Sequence, residues 1–141
     1  MSHKSGKIAE RIAHLNGEGG DPHYLGFFEC FNSGEYYEAH DVLEELWLDC
    51  RNGPEDAFYK ALIQLAGAFV HLRKERLKPA GKLFRLSRSY LSRYPRMHER
   101  LDLAVIIDLI NCWLDRLDET DYAGNPLHSH AAPQIFLQAD D

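Results

Sequence analysis

The sequence is short of the features that mark membrane, secreted and metal-clip proteins. No run of about 18 apolar residues occurs in its 141 residues, so we expect no membrane-spanning helix. Residues 1–20 contain no apolar signal core. The three cysteines, Cys30, Cys50 and Cys112, are odd in number and too far apart for a CxxC motif. These absences favour a reduced cytoplasmic protein without disulfides.

The sequence also lacks the short motifs that identify common catalytic sites. It contains no P-loop, no GxGxxG and no GxSxG stretch, and it has neither HExxH nor ExxH. A nucleotide-binding loop, a serine nucleophile elbow and a two-histidine zinc helix therefore have no sequence support. From these absences we predict no cofactor.

Charge is distributed unevenly along the chain. The net charge is −6, but the stretch from Glu29 to Asp56 has nine acids and one base, and the stretch from Arg73 to Arg100 has ten bases and two acids. Binding of nucleic acid is disfavoured, because the chain is acidic overall and no aromatic side chains interleave with the bases on the outer face that carries Lys82, Arg85 and Arg88. Binding of a small anion by the Lys82–Arg88 face stays a weaker hypothesis.

Hydrophobic periodicity predicts an all-α fold, a compact bundle of about five helices with no alternating strand pattern. The central helix, about 55–75, is apolar on every side, which is typical of a helix buried all round. The second helix begins at Asn32 or Ser33, where Asn32 and Glu35 resemble a capping box. The predicted helices span roughly 22–34, 33–50, 55–75, 81–94 and 98–118.

The predicted organisation has three parts. Residues 1–20 are polar, end in NGEGG and are interpreted as a flexible N-terminal arm, with a short helix as the alternative. Residues 21–120 form the helical domain. Residues 121–141 form a loop-like tail that packs on the domain through the apolar stretch PQIFL.

Four polar residues interrupt the apolar faces of two neighbouring helices. His40 and Glu44 are four residues apart, so they are neighbours beside the apolar stripe of the second helix. Gln64 and His71 lie on the central helix. If the chain turns at Asn52 and the two helices run antiparallel, Gln64 comes level with His40. We therefore expect a hydrogen-bonded cluster in the interior, because an unmatched buried polar group costs about 1–3 kcal/mol.

Two alternatives to a structural cluster stay open at this point. A metal site would use His40, Glu44 and His71, although His71 lies roughly 10 Å further along the helix in the simplest register. A catalytic acid–base pair would use His40 and Glu44. The complete candidate cluster is His40, Glu44, Gln64, His71, Glu38, Tyr37 and Trp47, of which Trp47 is first interpreted as a core or interface anchor.

The stretch FNSGEYYEAHDVLEELW resembles the signature of the small all-helical family catalogued as domain of unknown function DUF309. A second stretch, from FYKALIQLAGAFVHL onward, resembles the next segment of that family, and the resemblance covers about residues 24–118. It implies a compact all-α fold and brings no established activity. It also makes His40, Glu44, Gln64 and His71 signature positions.

From these observations we predict a cytoplasmic binding or assembly module with a polar cluster between its helices. A homodimer is the expected assembly, with no membrane partner and no nucleic acid. The alternative is a hydrolase-type enzyme that uses His40 and Glu44, with or without a metal.

Overall fold

The chain folds into a bundle of helices. The computed structural model describes residues 3–139, with side chains described from residue 6 onward. The α-helices are α1 (His3–Ile12), α2 (Pro22–Asn32), α3 (Tyr36–Cys50), α4 (Asp56–Arg73), α5 (Leu77–Leu91) and α6 (Leu103–Glu119). Two strands, β1 (Met97–His98) and β2 (Leu101–Asp102), pair antiparallel, and short 3-10 helices span Ala13–Leu15 and Pro126–His128. The predicted all-α fold is confirmed.

Helix α4 lies at the centre of the bundle and packs most extensively against α5 and α3. Phe69, near the middle of the core, shows why. Its ring centroid lies 5.0–5.5 Å from one aromatic ring on each of α2, α3, α5 and α6, namely Phe31, Tyr36, Phe84 and Trp113. Burying a phenylalanine side chain contributes about 1.5–3 kcal/mol, and aromatic pairs add about 0.5–1.5 kcal/mol each. The fold is therefore assembled around one face of α4.

The starts of α5 and α6 differ from the sequence prediction. Helix α5 begins at Leu77 rather than Gly81, because Pro79 falls in the first turn, where a missing N–H removes no intrahelical hydrogen bond. Helix α6 begins at Leu103 rather than about residue 98. The residues before it form the β1–β2 hairpin, which is too short to show an alternating pattern.

The start of α3 also differs from the predicted capping box. Its N-cap residue is Glu35, and no side chain caps the helix. The side chain of Asn32 instead binds the backbone of Ile135 in the C-terminal segment. A partner more than 100 residues away in sequence, which no local pattern reveals, replaces the predicted local one.

Both ends of the chain contact the bundle through apolar side chains. Ile8 and Ile12 of α1 are buried, and so is Ile135 of the C-terminal segment. The division into an arm (1–20), a domain (21–120) and a tail (121–141) stays a prediction, and residues 1, 2, 140 and 141 lie outside the described residues. Within residues 3–139, no helix has the length and apolar character needed to cross a membrane.

Candidate functional site

A surface groove between α3, α4 and α5 contains most of the polar residues singled out in the sequence. The short connection between α3 and α4 folds the two helices against each other, and α5 closes the other side. The groove has a volume of about 310 Å³. It is lined by Tyr37, His40, Ile63, Gln64, Gly67, Val70, His71 and Leu83. We call it the polar groove.

The floor of the polar groove is one face of α4. Gln64, Gly67 and His71 are spaced three and four residues apart, so they lie along the same side of the helix. Gly67 leaves this face without a side chain, and a Cβ atom added there would lie 3.1 Å from Cδ1 of Leu83. A glycine at this position therefore lets α5 approach closely while the groove stays open beside it.

Two polar atoms of residues that line the polar groove have no hydrogen-bond partner among the described residues. They are Oε1 of Gln64 and Nδ1 of His71, and both atoms are buried. Leaving such a group unpaired costs about 1–3 kcal/mol. Tyr36 holds a third unpaired atom, its hydroxyl oxygen, but its ring stacks on Phe69 in the core. Only the first two belong to residues that line the polar groove.

His71 is held in its neutral form near neutral pH. Burial, and to a smaller extent the positive charges of Arg76 and Lys74, lower the pKa of its imidazole below the ordinary value of 6.5. A neutral imidazole has one nitrogen that donates and one that accepts. His71 can therefore meet either a donor or an acceptor on a bound molecule.

His40 and Glu44 are more exposed than the interior cluster predicted from the sequence. Their side chains are 34% and 33% exposed, and Nε2 of His40 lies 4.0 Å from Oε2 of Glu44. Nδ1 of His40 lies 3.2 Å from Oδ1 of Asp41. His40 stands at the flank of the α3 stripe, so it forms the rim of an open groove. His40 and Gln64 do line the same groove, but the predicted position of His40 in the interior of the protein is wrong.

Glu38 and Trp47, also named from the sequence, lie outside the polar groove. Glu38 lines a different groove between α1 and α3. Trp47 donates its Nε1–H to Oδ1 of Asp56 at 2.8 Å, and the Asn52 N–H is bonded to Oδ2 of the same carboxylate. These contacts tie the end of α3 to the start of α4, which is a structural role.

The metal alternative is not assembled by the described side chains. Within the described part of the chain, the one group of three ligand residues whose atoms lie within 4.8 Å of one another is Glu55, His98 and Glu99. That group is near the start of α4, whereas His71 is near its end. Nε2 of His98 already lies 2.7 Å from Oε2 of Glu55. His40, Glu44 and His71 do not converge in this way.

The groove between α1 and α3 is larger than the polar groove, about 410 Å³, but its lining offers fewer unpaired polar groups to a ligand. Its guanidinium group, from Arg11, is already bonded to Glu29 and Glu35. Neither of the unpaired atoms of the polar groove belongs to its lining. We therefore take the polar groove as the candidate site.

Several residues of the polar groove escaped the sequence analysis. Ile63, Val70 and Leu83 supply its apolar walls, and the periodic pattern assigned them to the core. The spacing of Gln64, Gly67 and His71 was a usable signal, because a glycine between two polar residues on one helix face marks a gap in the surface.

Comparison with known proteins gives one family. The model described as "Domain of unknown function (DUF309)" matches residues 24–83, which confirms the resemblance predicted from the motif over that part of the chain. The match spans α2, α3, α4 and the first part of α5, and hence every element of the polar groove. The predicted resemblance over residues 84–118 stays a prediction. No curated protein and no solved structure gave a significant match.

Proposed function

For a chain whose residues 24–83 carry the DUF309 domain, we propose a cytoplasmic binding module whose site is the polar groove. The observation that supports this function is the pair of buried, unpaired atoms on Gln64 and His71 in a groove open to solvent. A folded protein rarely leaves such atoms unmatched, because the cost is about 1–3 kcal/mol each. A ligand that hydrogen bonds to both removes that cost on binding.

The shape of the polar groove favours a small molecule. Its volume of about 310 Å³ is at the lower end of the range for ligand sites, which is about 300–1,000 Å³. Apolar side chains from α4 and α5 form the walls, and the two unmatched polar groups lie on α4. This combination of apolar walls and few polar groups is typical of small-molecule sites.

The other functions predicted from the sequence have less support. For the hydrolase alternative, His40 lines the polar groove but Glu44 does not, and their nearest charged atoms are 4.0 Å apart. The homodimer also stays a prediction, since the exposed large apolar residues are scattered. Tyr37 and Leu48 lie near opposite ends of α3, and Met97, Val105 and Phe136 lie on β1, on α6 and in the C-terminal segment.

A fragment screen monitored by amide NMR tests the proposed function. We expect planar amides and related small molecules to shift the resonances of residues 63–71. Gln64→Met keeps the size of the side chain but removes its hydrogen-bonding groups, so it should weaken those fragments by about tenfold, the equivalent of one lost hydrogen bond.

The matched control is Gln138→Met, which makes the same change at an exposed position in the C-terminal segment. It should leave both the shifts and the affinities unchanged. The proposal fails if no fragment shifts the groove resonances, or if Gln64→Met and Gln138→Met bind the fragments with equal affinity.

A further inference from the structure

A cluster of positive side chains without ion pairs lies at the turn between α4 and α5. Five exposed bases occur within ten residues, and none of them takes part in the lysine and arginine ion pairs of the described residues, which involve Arg11 and Arg96. The one acid among them, Glu75, is occupied by the side chains of Asn125 and His128. The five bases are Arg73, Lys74, Arg76, Lys78 and Lys82.

Two of these bases adjoin the polar groove. The Nζ atom of Lys74 lies 5.8 Å from the ring centroid of Tyr37, which lines the groove. The backbone N–H of Arg76 donates to the carbonyl oxygen of His71 at 2.9 Å. This hydrogen bond places the backbone of Arg76 next to His71, which lines the floor of the groove. The lowered pKa of His71, to which Arg76 and Lys74 contribute, agrees with a positive potential at this end.

The start of α5 adds to the same potential. Arg76 is the N-cap residue of this 15-residue helix, and no side chain caps it. The N-terminal end of a helix carries a partial positive charge and N–H groups without intrahelical partners. The helix end and the two cations therefore act on the same end of the groove.

Two of the three bases on the Lys82–Arg88 face, the anion-binding face predicted from the sequence, are already engaged by other side chains. The guanidinium of Arg85 donates to the hydroxyl of Tyr122 at 2.9 Å, and that of Arg88 donates to Oδ1 of Asn111 at 2.7 Å. These contacts hold two of the three bases against neighbouring elements. Lys74 and Arg76, which adjoin the polar groove, form neither an ion pair nor a side-chain hydrogen bond with a described residue, and Lys74 lies over the ring of Tyr37.

We propose that the ligand of the polar groove carries an anionic group, a phosphate or a carboxylate, that seats against Lys74 and Arg76. The body of the ligand packs on Ile63, Val70 and Leu83, and an uncharged polar group on it bonds to Gln64 or His71. This inference rests on the proposed function, since it names the class of ligand for the same groove. The uncharged polar group thus meets an unmatched atom of Gln64 or His71, and the two cations select a ligand that carries a negative charge.

Four probes separate the contributions: benzamide, benzoate, phenyl phosphate and inorganic phosphate. Amide NMR titration gives a dissociation constant for each. We expect one of the two aromatic anions to bind about tenfold more tightly than benzamide, which has the same ring without the charge. Which anion binds more tightly distinguishes a phosphate from a carboxylate. Inorganic phosphate, which lacks the apolar body, should bind more weakly than phenyl phosphate.

The double variant Lys74→Gln/Arg76→Gln tests the two cations. The known contact of Arg76 uses its backbone, so the substitution keeps that hydrogen bond. We expect the preference for the anion over benzamide to fall close to one, while benzamide keeps its affinity.

The matched control is Lys60→Gln/Arg93→Gln, which removes two positive charges that lie over the Tyr90 ring in a different groove. It should retain the anion preference. The inference is overturned if the native protein binds anion and benzamide equally, or if both double variants lose the preference to the same extent. In those cases a benzamide affinity that still depends on Gln64 leaves the proposed function standing. If no probe shifts the groove resonances at millimolar concentration, both proposals are wrong.

Discussion

The side-chain amide of Asn32 makes both backbone hydrogen bonds of Ile135. Its Nδ2 donates to the Ile135 carbonyl at 2.8 Å, and its Oδ1 accepts from the Ile135 N–H at 2.7 Å. The amide thus pairs with an extended segment as a neighbouring strand would. The buried side chain of Ile135 adds an apolar contact, so one residue at the end of α2 holds the C-terminal segment on the domain.

Substitution Asn32→Ala should release this segment. The change removes two hydrogen bonds, each with a net value of about 1 kcal/mol, so we expect the Ile135 amide to exchange its hydrogen faster. Hydrogen exchange followed by NMR measures the effect. Asn32→Asp is the control, because it keeps the acceptor for the Ile135 N–H and should slow exchange relative to Asn32→Ala. Equal exchange in all three proteins would show that the apolar contact alone holds the segment.

Two glycines on neighbouring helices should respond to alanine in opposite directions. A Cβ atom at Gly26 would lie 2.5 Å from Cγ2 of Ile12, so Gly26→Ala forces α1 away from α2. We expect a loss of about 1–3 kcal/mol in the free energy of unfolding. Gly6 in α1 has no atom within 4 Å of the corresponding position, and Gly6→Ala should stabilise by up to about 1 kcal/mol. Urea denaturation measures both, and a gain at Gly26 would contradict the close packing of α1.

Gln64→Met should stabilise the protein although it removes the proposed ligand contact. The native side chain carries a buried oxygen without a partner, and methionine replaces it with an apolar group of similar length. We expect a gain of about 1 kcal/mol in the free energy of unfolding. Thermal and urea denaturation in the absence of ligand give the value. A loss of stability would mean that Oε1 has a partner in solution, and the argument for a ligand would weaken.

His71 should make the protein less stable in mild acid. Its pKa is lowered in the folded state, so between about 6.5 and that lower value the unfolded chain binds more protons. The free energy of unfolding therefore falls as the pH drops below about 6.5, and this loss ends below the folded pKa. His71→Gln should remove this part of the pH dependence. Urea denaturation of both proteins from neutral pH to mild acid measures the difference.

The double variant Lys74→Gln/Arg76→Gln supplies the second arm of the pH experiment. Removing the two charges should raise the pKa of His71 towards its ordinary value and so reduce the loss of stability in acid. The reduction is expected to be partial, because burial is the larger cause of the shift. An unchanged profile in both His71→Gln and the double variant would contradict the assignment to His71.

His40→Ala should cost less than a core substitution. The sequence analysis placed this imidazole in the interior, where losing a partner costs about 1–3 kcal/mol. At 34% exposure, with Asp41 and Glu44 beside it, the side chain has access to water, and we expect a loss below about 1 kcal/mol. A loss of several kcal/mol in the free energy of unfolding, measured by urea denaturation, would support the interior cluster predicted from the sequence.

Helices α2 to α6 were predictable because their signals are local. Pro22, the pair Gly53–Pro54 and Pro95 interrupt the apolar periodicity, and the central helix was recognisable from a stretch that is apolar on every side. The predicted start of α3 failed because it depended on a contact from elsewhere in the chain. Asn32 was expected to cap α3, but its side chain binds the backbone of Ile135 instead. A contact between residues so far apart in sequence leaves no local pattern.

Residue types along the chain were therefore enough to predict a bundle with α4 at its centre, the resemblance to the DUF309 family, and the helix faces that bear His40, Gln64 and His71. They could not show whether neighbouring helices shield those faces from solvent, because this depends on how closely α5 approaches α4. Gly67 and Leu83 settle that distance through van der Waals contact, and they leave a groove open. Packing in three dimensions thus turned an expected buried cluster into a surface groove, lined by two residues with unmatched polar atoms and flanked by Lys74 and Arg76.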